Sequence, residues 1–286
     1  MQIGVVYPQY ELGGDPAAVG RIGRAVEELG FDYLLAYDHV VGAEHADRQP
    51  PLTGPYTERD PFHDPLVLFA YLAGVTKRIK FATGVLILPQ RQTALVARQA
   101  ADVDLLSGGR LRLGVGVGWS CVEFEALGQD FHTRGARQEE QIGLLRQLFT
   151  ESVVDFSGRF DRIDRAALIP KPLRRIPIWL GGSGVAAYDR AARLADGFIF
   201  LRGDIDHVVD RWSQLRERVR GLGRQVDDFG GEYVIRPGND VIEQIEAWRA
   251  AGGTHVSVAT LGRGFDSVDA HVDFLASVAE ALDLQS

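Results

Sequence analysis

The feature that most constrains this chain is a repeated alternation of short apolar strand patterns with amphipathic helical ones. Ile3, Val5 and Tyr7 alternate in a first strand. Asp15-Pro16 then opens a helix whose Ala18, Ile22, Ala25, Val26 and Leu29 form one stripe, and Gly30 ends it. Further strands are predicted over Phe31–Tyr37, Ile79–Leu88, the run beginning at Leu111, Ile176–Leu180, Gly197–Leu201, Glu232–Ile235 and His255–Ala259. Between them, helices are predicted from Asp60-Pro61 to Val75, from a Thr93 cap to Leu106, and over Glu123–Ala126 and Arg137–Thr150. Others lead from the glycines at 181–184 to Ala195, from Asp206 to Leu222, from Asp240 to Ala251, and up to Leu282. Val153–Phe156 and Phe160–Ile163, joined by Ser157-Gly158-Arg159, read as a small hairpin insertion. Eight strand–helix units over about 250 residues is the count of an α/β fold of the (β/α)8, or TIM, barrel type. It is expected as a single domain over residues 1–286. A doubly wound open sheet fits less well, because no point in the pattern marks a reversal of strand order.

One strand departs from the usual composition. In LSGGRLRLGVGVGWSCVEFEALG, Leu111, Leu113, Val115 and Val117 fall on one face, and Arg112, Gly114, Gly116 and Gly118 on the other. Glycines along one strand face imply that something else approaches the backbone closely. Ser120 and Glu123 then form an S-x-x-E capping box that opens a helix. A second glycine turn, Gly181-Gly182-Ser183-Gly184, follows the fifth strand. Both turns precede helices, an arrangement in which backbone N–H groups receive a phosphate. Neither is a nucleotide-hydrolase loop. Trp119 stands where a dinucleotide fingerprint needs its third glycine, and GGSG lacks the Lys-Ser/Thr of a Walker loop.

Composition excludes several partners. A net charge of −8 leaves no basic footprint for nucleic acid, and no run is long and apolar enough to span a membrane. The start, MQIGVVYPQ, reads as strand without a basic leader region, so no signal peptide is expected. A lone cysteine, Cys121, allows no intrachain disulfide and fits a reducing, cytoplasmic setting; its expected role is packing.

In a barrel, chemistry belongs at the C-terminal strand ends. Those ends carry Asp38-His39, Thr83-Gly84-Val85, Gly116-Val117-Gly118 and Gly181-Gly182-Ser183. His39 is the histidine placed to hold or pass a proton near neutral pH, with Asp38 orienting a neighbouring group. His45, His63 and Asp64 share no metal-ligand spacing with His39, so no metal is expected. Gln90-Arg91 and Arg110 put charge near the same connections. The segment Val40–Asp60 lacks periodicity, carries Pro50, Pro51, Gly54 and Pro55, and starts at the rim. It is expected to act as a lid, with Tyr56 and Phe62 as its ligand-facing aromatics.

With AYDHV, ATGVLILPQR, DLLSGGRLRLGVGVGW followed by EFEALG, and IPIWLGGSG followed by RAARLADG, the chain resembles the bacterial luciferase-like monooxygenase superfamily over nearly its whole length. Within it, the likeness is to the coenzyme F420-dependent oxidoreductase branch. That resemblance implies a dimeric barrel holding a deazaflavin or flavin in its mouth. Asp38 and His39 would lie near the ring, with Thr83, Gly84 and Val85 behind it, where relatives have a non-proline cis peptide. Gly116, Val117 and Gly118 would meet ribityl and phosphate together with Gly181, Gly182 and Ser183. The implied activity is hydride transfer between F420 and a small organic substrate, with His39 as the catalytic residue. The alternatives are a two-component monooxygenase using reduced FMN and oxygen, and a non-catalytic flavin carrier. Glucose-6-phosphate dehydrogenase relatives carry a glutamate where Trp119 stands, so sugar-phosphate oxidation is not expected.

Overall fold

In the computed structural model, which describes residues 1–12, 15–238 and 240–284, eight parallel staves close into a barrel. The chain runs β1 (Gln2–Val6), α1 (Pro16–Glu28), β2 (Tyr33–Ala36), α2 (Pro65–Val75), β3 (Lys80–Thr83), β4 (Leu86–Ile87) and α3 (Thr93–Ser107). It continues through β5 (Leu111–Gly116), α4 (Cys121–Ala126), α5 (Arg134–Thr150) and an antiparallel hairpin of β6 (Val154–Ser157) and β7 (Arg162–Ala166). Then come β8 (Ile178–Gly181), α6 (Val185–Leu194), β9 (Gly197–Phe200), α7 (Ile205–Gly221), β10 (Gly230–Ile235), α8 (Val241–Ala250), β11 (His255–Ala259) and α9 (Val268–Ala281). β1 pairs with β2 and β11, and β3 pairs with β5, so the ring has no free edge. β3 and β4 are one interrupted stave. No helix among the described residues is long and apolar enough to cross a membrane.

Period-two alternation sorts side chains into two cores. Leu111, Leu113 and Val115 face outward into the layer shared with the helices. Tyr33, Leu35, Ala82, Trp179, Ile199 and Val234 fill the barrel interior. Arg112 points inward as well, and its Nη2 lies 2.7 Å from Oε2 of the fully buried Glu232. Glu232 Oε1 accepts hydrogen bonds from Tyr33 Oη (2.8 Å) and Ser257 Oγ (2.5 Å). The guanidinium also rests 4.2 Å above Trp179 and 4.9 Å from the Tyr33 ring centre. His255, beside this cluster, is pushed down to about 2 by burial and then by Arg112, Lys80 and the chain N-terminus, so it stays neutral. This polar plug closes the N-terminal end of the barrel.

Four local expectations shift. α2 begins at Pro65, not at Asp60-Pro61, because Asp64 Oδ1 accepts from the amides of Leu66 (2.9 Å) and Val67 (3.1 Å). Asp60 instead closes a turn by accepting from Thr57 N and Oγ1. Thr93 is the first helical residue of α3 rather than its cap. Its hydroxyl donates to Asp161 Oδ2 and accepts from Gln141 Nε2, fastening the hairpin to the helices. The hairpin turn is longer than Ser157-Gly158-Arg159, because the Glu140 carboxylate takes the amides of Arg159, Phe160 and Asp161. The strand predicted over Ile79–Leu88 is two short strands, β3 and β4, divided at Gly84-Val85, where the resemblance implies a bulge.

Removing one partner of a buried ion pair strands the other charge, at a cost of about 3–5 kcal/mol, whereas replacing both with apolar groups is near neutral. Urea unfolding is expected to show a loss of that order for Glu232→Leu and recovery of most of it in Arg112→Met/Glu232→Leu. A double variant as unstable as the single would show that Glu232 stabilises the barrel by other means.

Candidate active site

The site is built around the interruption of one stave. Between β3 and β4 the Gly84-Val85 peptide is cis, as the family resemblance led us to expect. Thr83 is buried, and its hydroxyl donates to the Gly114 carbonyl at 2.6 Å, tying this stave to β5. A Cβ on Gly84 would overlap the Leu35 side chain, so glycine is required there. Val85 swings into the barrel mouth and occupies the space where Cβ atoms of Gly116 and Gly181 would lie, the latter 2.7 Å from Val85 Cγ1. The bare glycine face of this segment is thus explained by the neighbouring stave, whose Thr83 carbonyl, Val85 side chain and Ile87 side chain lie against Gly114, Gly116 and Gly118 in turn.

Asp38 secures this arrangement from below. It is 3% exposed; its Oδ2 accepts from the Ile87 amide (2.8 Å) and its Oδ1 from Arg91 Nη2 (2.7 Å). Burial pushes its carboxyl above the usual range, against the pull of Arg91 and the Ile87 amide. Arg91 Nη1 reaches on to Asp64 at 2.9 Å, so one guanidinium ties the end of β2, the start of α2 and the turn after β4.

His39 faces the mouth. Its Nδ1 is 2.9 Å from Oε2 of Glu123, a carboxylate that is almost wholly buried. The other oxygen of Glu123 accepts from the amides of Val40 (2.8 Å) and Val41 (3.4 Å). Burial raises the Glu123 carboxyl, but the His39 hydrogen bond and charge and the two amides outweigh it, leaving the group below its ordinary value. An ionised carboxylate only accepts, so His39 Nδ1 carries hydrogen and Nε2 is the ring nitrogen left for other work. Aromatic rings hold the imidazole: Tyr56 at 5.0 Å, Phe62 at 4.9 Å and Trp119 at 5.5 Å between centres. These contacts bring the Val40–Asp60 segment over the mouth, where Gly54 also lies flat against the Trp119 ring.

The resulting cleft, of about 130 Å³, is lined by the aliphatic Val85, Ile87 and Leu201 and by the rings of His39, Tyr56 and Trp119. Asp38, His39, Gly84 and Val85 are brought together here. Thr83, Gly116 and Gly181 lie buried behind them, and Val117 and Gly118 are half-buried beside Trp119. Gly182 and Ser183 are exposed before α6, whose N-cap, Gly184, gives no side-chain hydrogen bond. A second, largely apolar hollow is lined by Val19, Val67, Leu68 and Tyr71 of α1 and α2 together with His63 and Asp64, and shares no lining residue with the cleft. Among the described residues no three acidic, histidine or cysteine side chains gather to hold a metal ion.

Two expectations about the segment after β5 are corrected. Ser120 does cap α4, its Oγ accepting from Glu123 N at 3.4 Å, but Glu123 turns away from the cap to His39. The S-x-x-E signal was therefore present and pointed to the wrong partner. Cys121, expected to pack, is exposed. The arginines 202 and 236, which also line the cleft, carry no local sequence signal beyond their place after strands.

Comparison with known proteins agrees with this geometry. Residues 1–231 match the luciferase-like monooxygenase family. An uncharacterized protein of Mycobacterium tuberculosis is 36% identical over 203 residues, covering 68% of this chain and 70% of that one. An FMNH(2)-dependent dimethylsulfone monooxygenase of Pseudomonas fluorescens is 34% identical over 212 residues, covering 73% of this chain and 50% of the relative. An F420-dependent glucose-6-phosphate dehydrogenase of Nakamurella multipartita is 30% identical over 220 residues, or 75% and 61% of the two chains. An F420-dependent secondary alcohol dehydrogenase, solved with an F420-acetone adduct, superposes with a TM-score of 0.80 at 16% identity, covering 98% of each chain.

A depressed carboxylate contributes stability that is complete above its unfolded value and is lost as pH falls through the folded one. The contribution of Glu123 is therefore full above about pH 4.5 and fades in more acid solution. Urea unfolding of the wild type and Glu123→Gln between about pH 3 and 6 is expected to show a stability gap that closes below that value. A gap unchanged across the range would refute an ionised Glu123.

Proposed function

Since the chain belongs to the luciferase-like monooxygenase family and is an oxidoreductase, we propose that it moves hydride between coenzyme F420 and a small organic substrate, with His39 as the catalytic residue. The observation that carries this reading is the His39–Glu123 pair, held at the cleft that the Val85 bulge also lines. The residues suit a flat ring with a phosphate tail. Val85, Ile87 and Leu201 offer an apolar wall, and the backbone of Gly182 and Ser183 is open at the start of α6. Thr83 and Gly84 set the bulge, Gly116 and Gly181 make room for it, and Asp38 holds it in place. Val117 and Gly118 complete the wall toward the phosphate end. The bound deazaflavin supplies the hydride donor or acceptor.

The chain's own residues do the rest. Glu123 keeps the hydrogen of His39 on Nδ1 and orients the ring, so Nε2 can hold or accept a proton as charge develops on the substrate. Tyr56, Phe62 and Trp119 keep water from the imidazole and limit its rotation. The segment Val40–Asp60 acts as the lid over this chemistry.

The Pseudomonas relative supports a second reading, in which the same cleft takes reduced FMN and the reaction consumes oxygen. Titration of the purified protein with F420 and with FMN separates the two. Tight F420 binding with turnover independent of oxygen is expected; binding of FMN alone would overturn the deazaflavin assignment.

Two substitutions probe the residues. Gly182 has φ of 151°, and an added Cβ would lie 3.2 Å from Ala187, so any side chain strains this turn. Gly182→Ala is therefore the control for Gly182→Asp. The aspartate is expected to weaken binding of the phosphate-bearing cofactor by a further factor of about ten or more, while riboflavin distinguishes the two variants little. His39→Ala is expected to lower turnover by about 10²–10⁴-fold with cofactor affinity nearly unchanged. A fall in turnover of less than about threefold would leave His39 as packing.

A further inference from the structure

We propose that Arg202 and Arg236 together form a receptor for the acidic group of the substrate, so that this site takes small organic anions. The proposal rests on the reading above, which places substrate in the same cleft. Arg202 follows β9 and Arg236 follows β10, so adjacent staves present both at the C-terminal end of the barrel. Both line the cleft that holds His39, Trp119 and Val85. Both also line an adjoining cavity of about 430 Å³ with Thr53, Gly54 and Pro55 of the loop. The arginines and Pro55 are common to the two spaces, so the guanidiniums stand where one opens into the other.

Neither side chain is engaged by an acid. Among the described residues no carboxylate lies within ion-pair distance of Arg202 or Arg236, whereas Arg91, Arg112, Arg146 and Arg190 all have one. Arg236 Nη2 makes one hydrogen bond, to the carbonyl of Leu201 at 3.2 Å, which steers it toward the neighbouring stave and leaves its other donors free. The one acid lining either space is Asp38, and both its oxygens are committed to Ile87 and Arg91. In a chain with a net charge of −8, the two guanidiniums are thus the charged groups lining these spaces besides the committed Asp38. The positive charge of Arg236 opposes the upward shifts that burial imposes on Tyr37 and Tyr56, while the Glu232 and Asp60 carboxylates act in the other direction on Tyr37 and Tyr56 respectively. Two free guanidiniums on rigid stave ends match a planar carboxylate or a tetrahedral sulfonate or phosphate.

The same chemistry could instead serve an acidic part of the cofactor, and the test separates the sources. The cofactor-loaded protein is titrated, by saturation-transfer NMR, with butyrate, propane-1-sulfonate and the neutral butanamide. Both anions are expected to bind at least about tenfold more tightly than butanamide. In Arg202→Gln/Arg236→Gln that preference is lost, butanamide binding is unchanged, and FMN and riboflavin affinities stay in their wild-type ratio. Equal binding of butyrate and butanamide, or an anion preference that survives in the double variant, would overturn the proposal. So would a double variant that loses affinity for FMN but not riboflavin, since the arginines would then hold the cofactor's phosphate. The titrations are repeated without cofactor. A protein that binds neither F420 nor FMN, yet still selects anions through the two arginines, would overturn the cofactor reading and leave the receptor standing.

Discussion

The constraint on which the rest of this structure depends is the placement of one valine. Val85 leaves the wall of the barrel and enters its mouth, and close packing lets it do so only where facing backbones lack a Cβ. Gly116 on β5 and Gly181 on β8 satisfy that requirement from two different staves. The stave then has to resume its pairing, and the Ile87 amide is caught by Asp38 as β4 rejoins β5 at Leu86↔Val115. Arg91 neutralises Asp38 and reaches Asp64, so the bulge is linked to the first turn of α2. A cleft wall of this shape is a property of four elements at once.

The barrel holds two ion-paired centres of opposite purpose. At the N-terminal end, Arg112 and Glu232 are packed among Tyr33, Ser257 and Trp179, with their partners fixed by close packing. At the C-terminal end, Glu123 is equally buried but spends its lone pairs on one imidazole and two amides, leaving the far nitrogen of His39 without a partner in the described structure. The first arrangement fixes the core; the second fixes a titratable ring while keeping it available. That contrast matches the general division of (β/α)8 barrels into a stabilising bottom face and a chemical top face.

Electrostatics divide along the same axis. Most arginines outside the mouth are committed to carboxylates or helix-end carbonyls: Arg110 alone serves the carbonyls of Ala73, Thr76, Ile79 and Ser107. Arg202 and Arg236 are excepted, and they stand beside the loop that covers the cleft. Two guanidiniums without a carboxylate partner among the described residues give an anion a point of attachment at that end of the barrel.

Much of this was determined by sequence alone, because it depends on local periodicity. Alternation at period two put Leu111, Leu113 and Val115 on one face and Arg112 on the other, and the eightfold recurrence of strand and helix implied a closed barrel, whose closure decided which face is inward. The glycines and the position of His39 at a strand end were also legible, and the cis bond at Gly84-Val85 was implied by the family resemblance. Where two equivalent local signals competed, the sequence was ambiguous: Asp60-Pro61 and Asp64-Pro65 carry the same start signature, and only Asp64 caps the helix. The partnerships were decided by tertiary structure. Glu123 lies 84 residues from His39, and Asp38 lies 53 from Arg91. Arg202 and Arg236 meet only because β9 and β10 are neighbours in the ring. A residue's period is set by its own backbone, but its partner is set by which staves barrel closure makes adjacent, and that adjacency leaves no mark in the residues nearby.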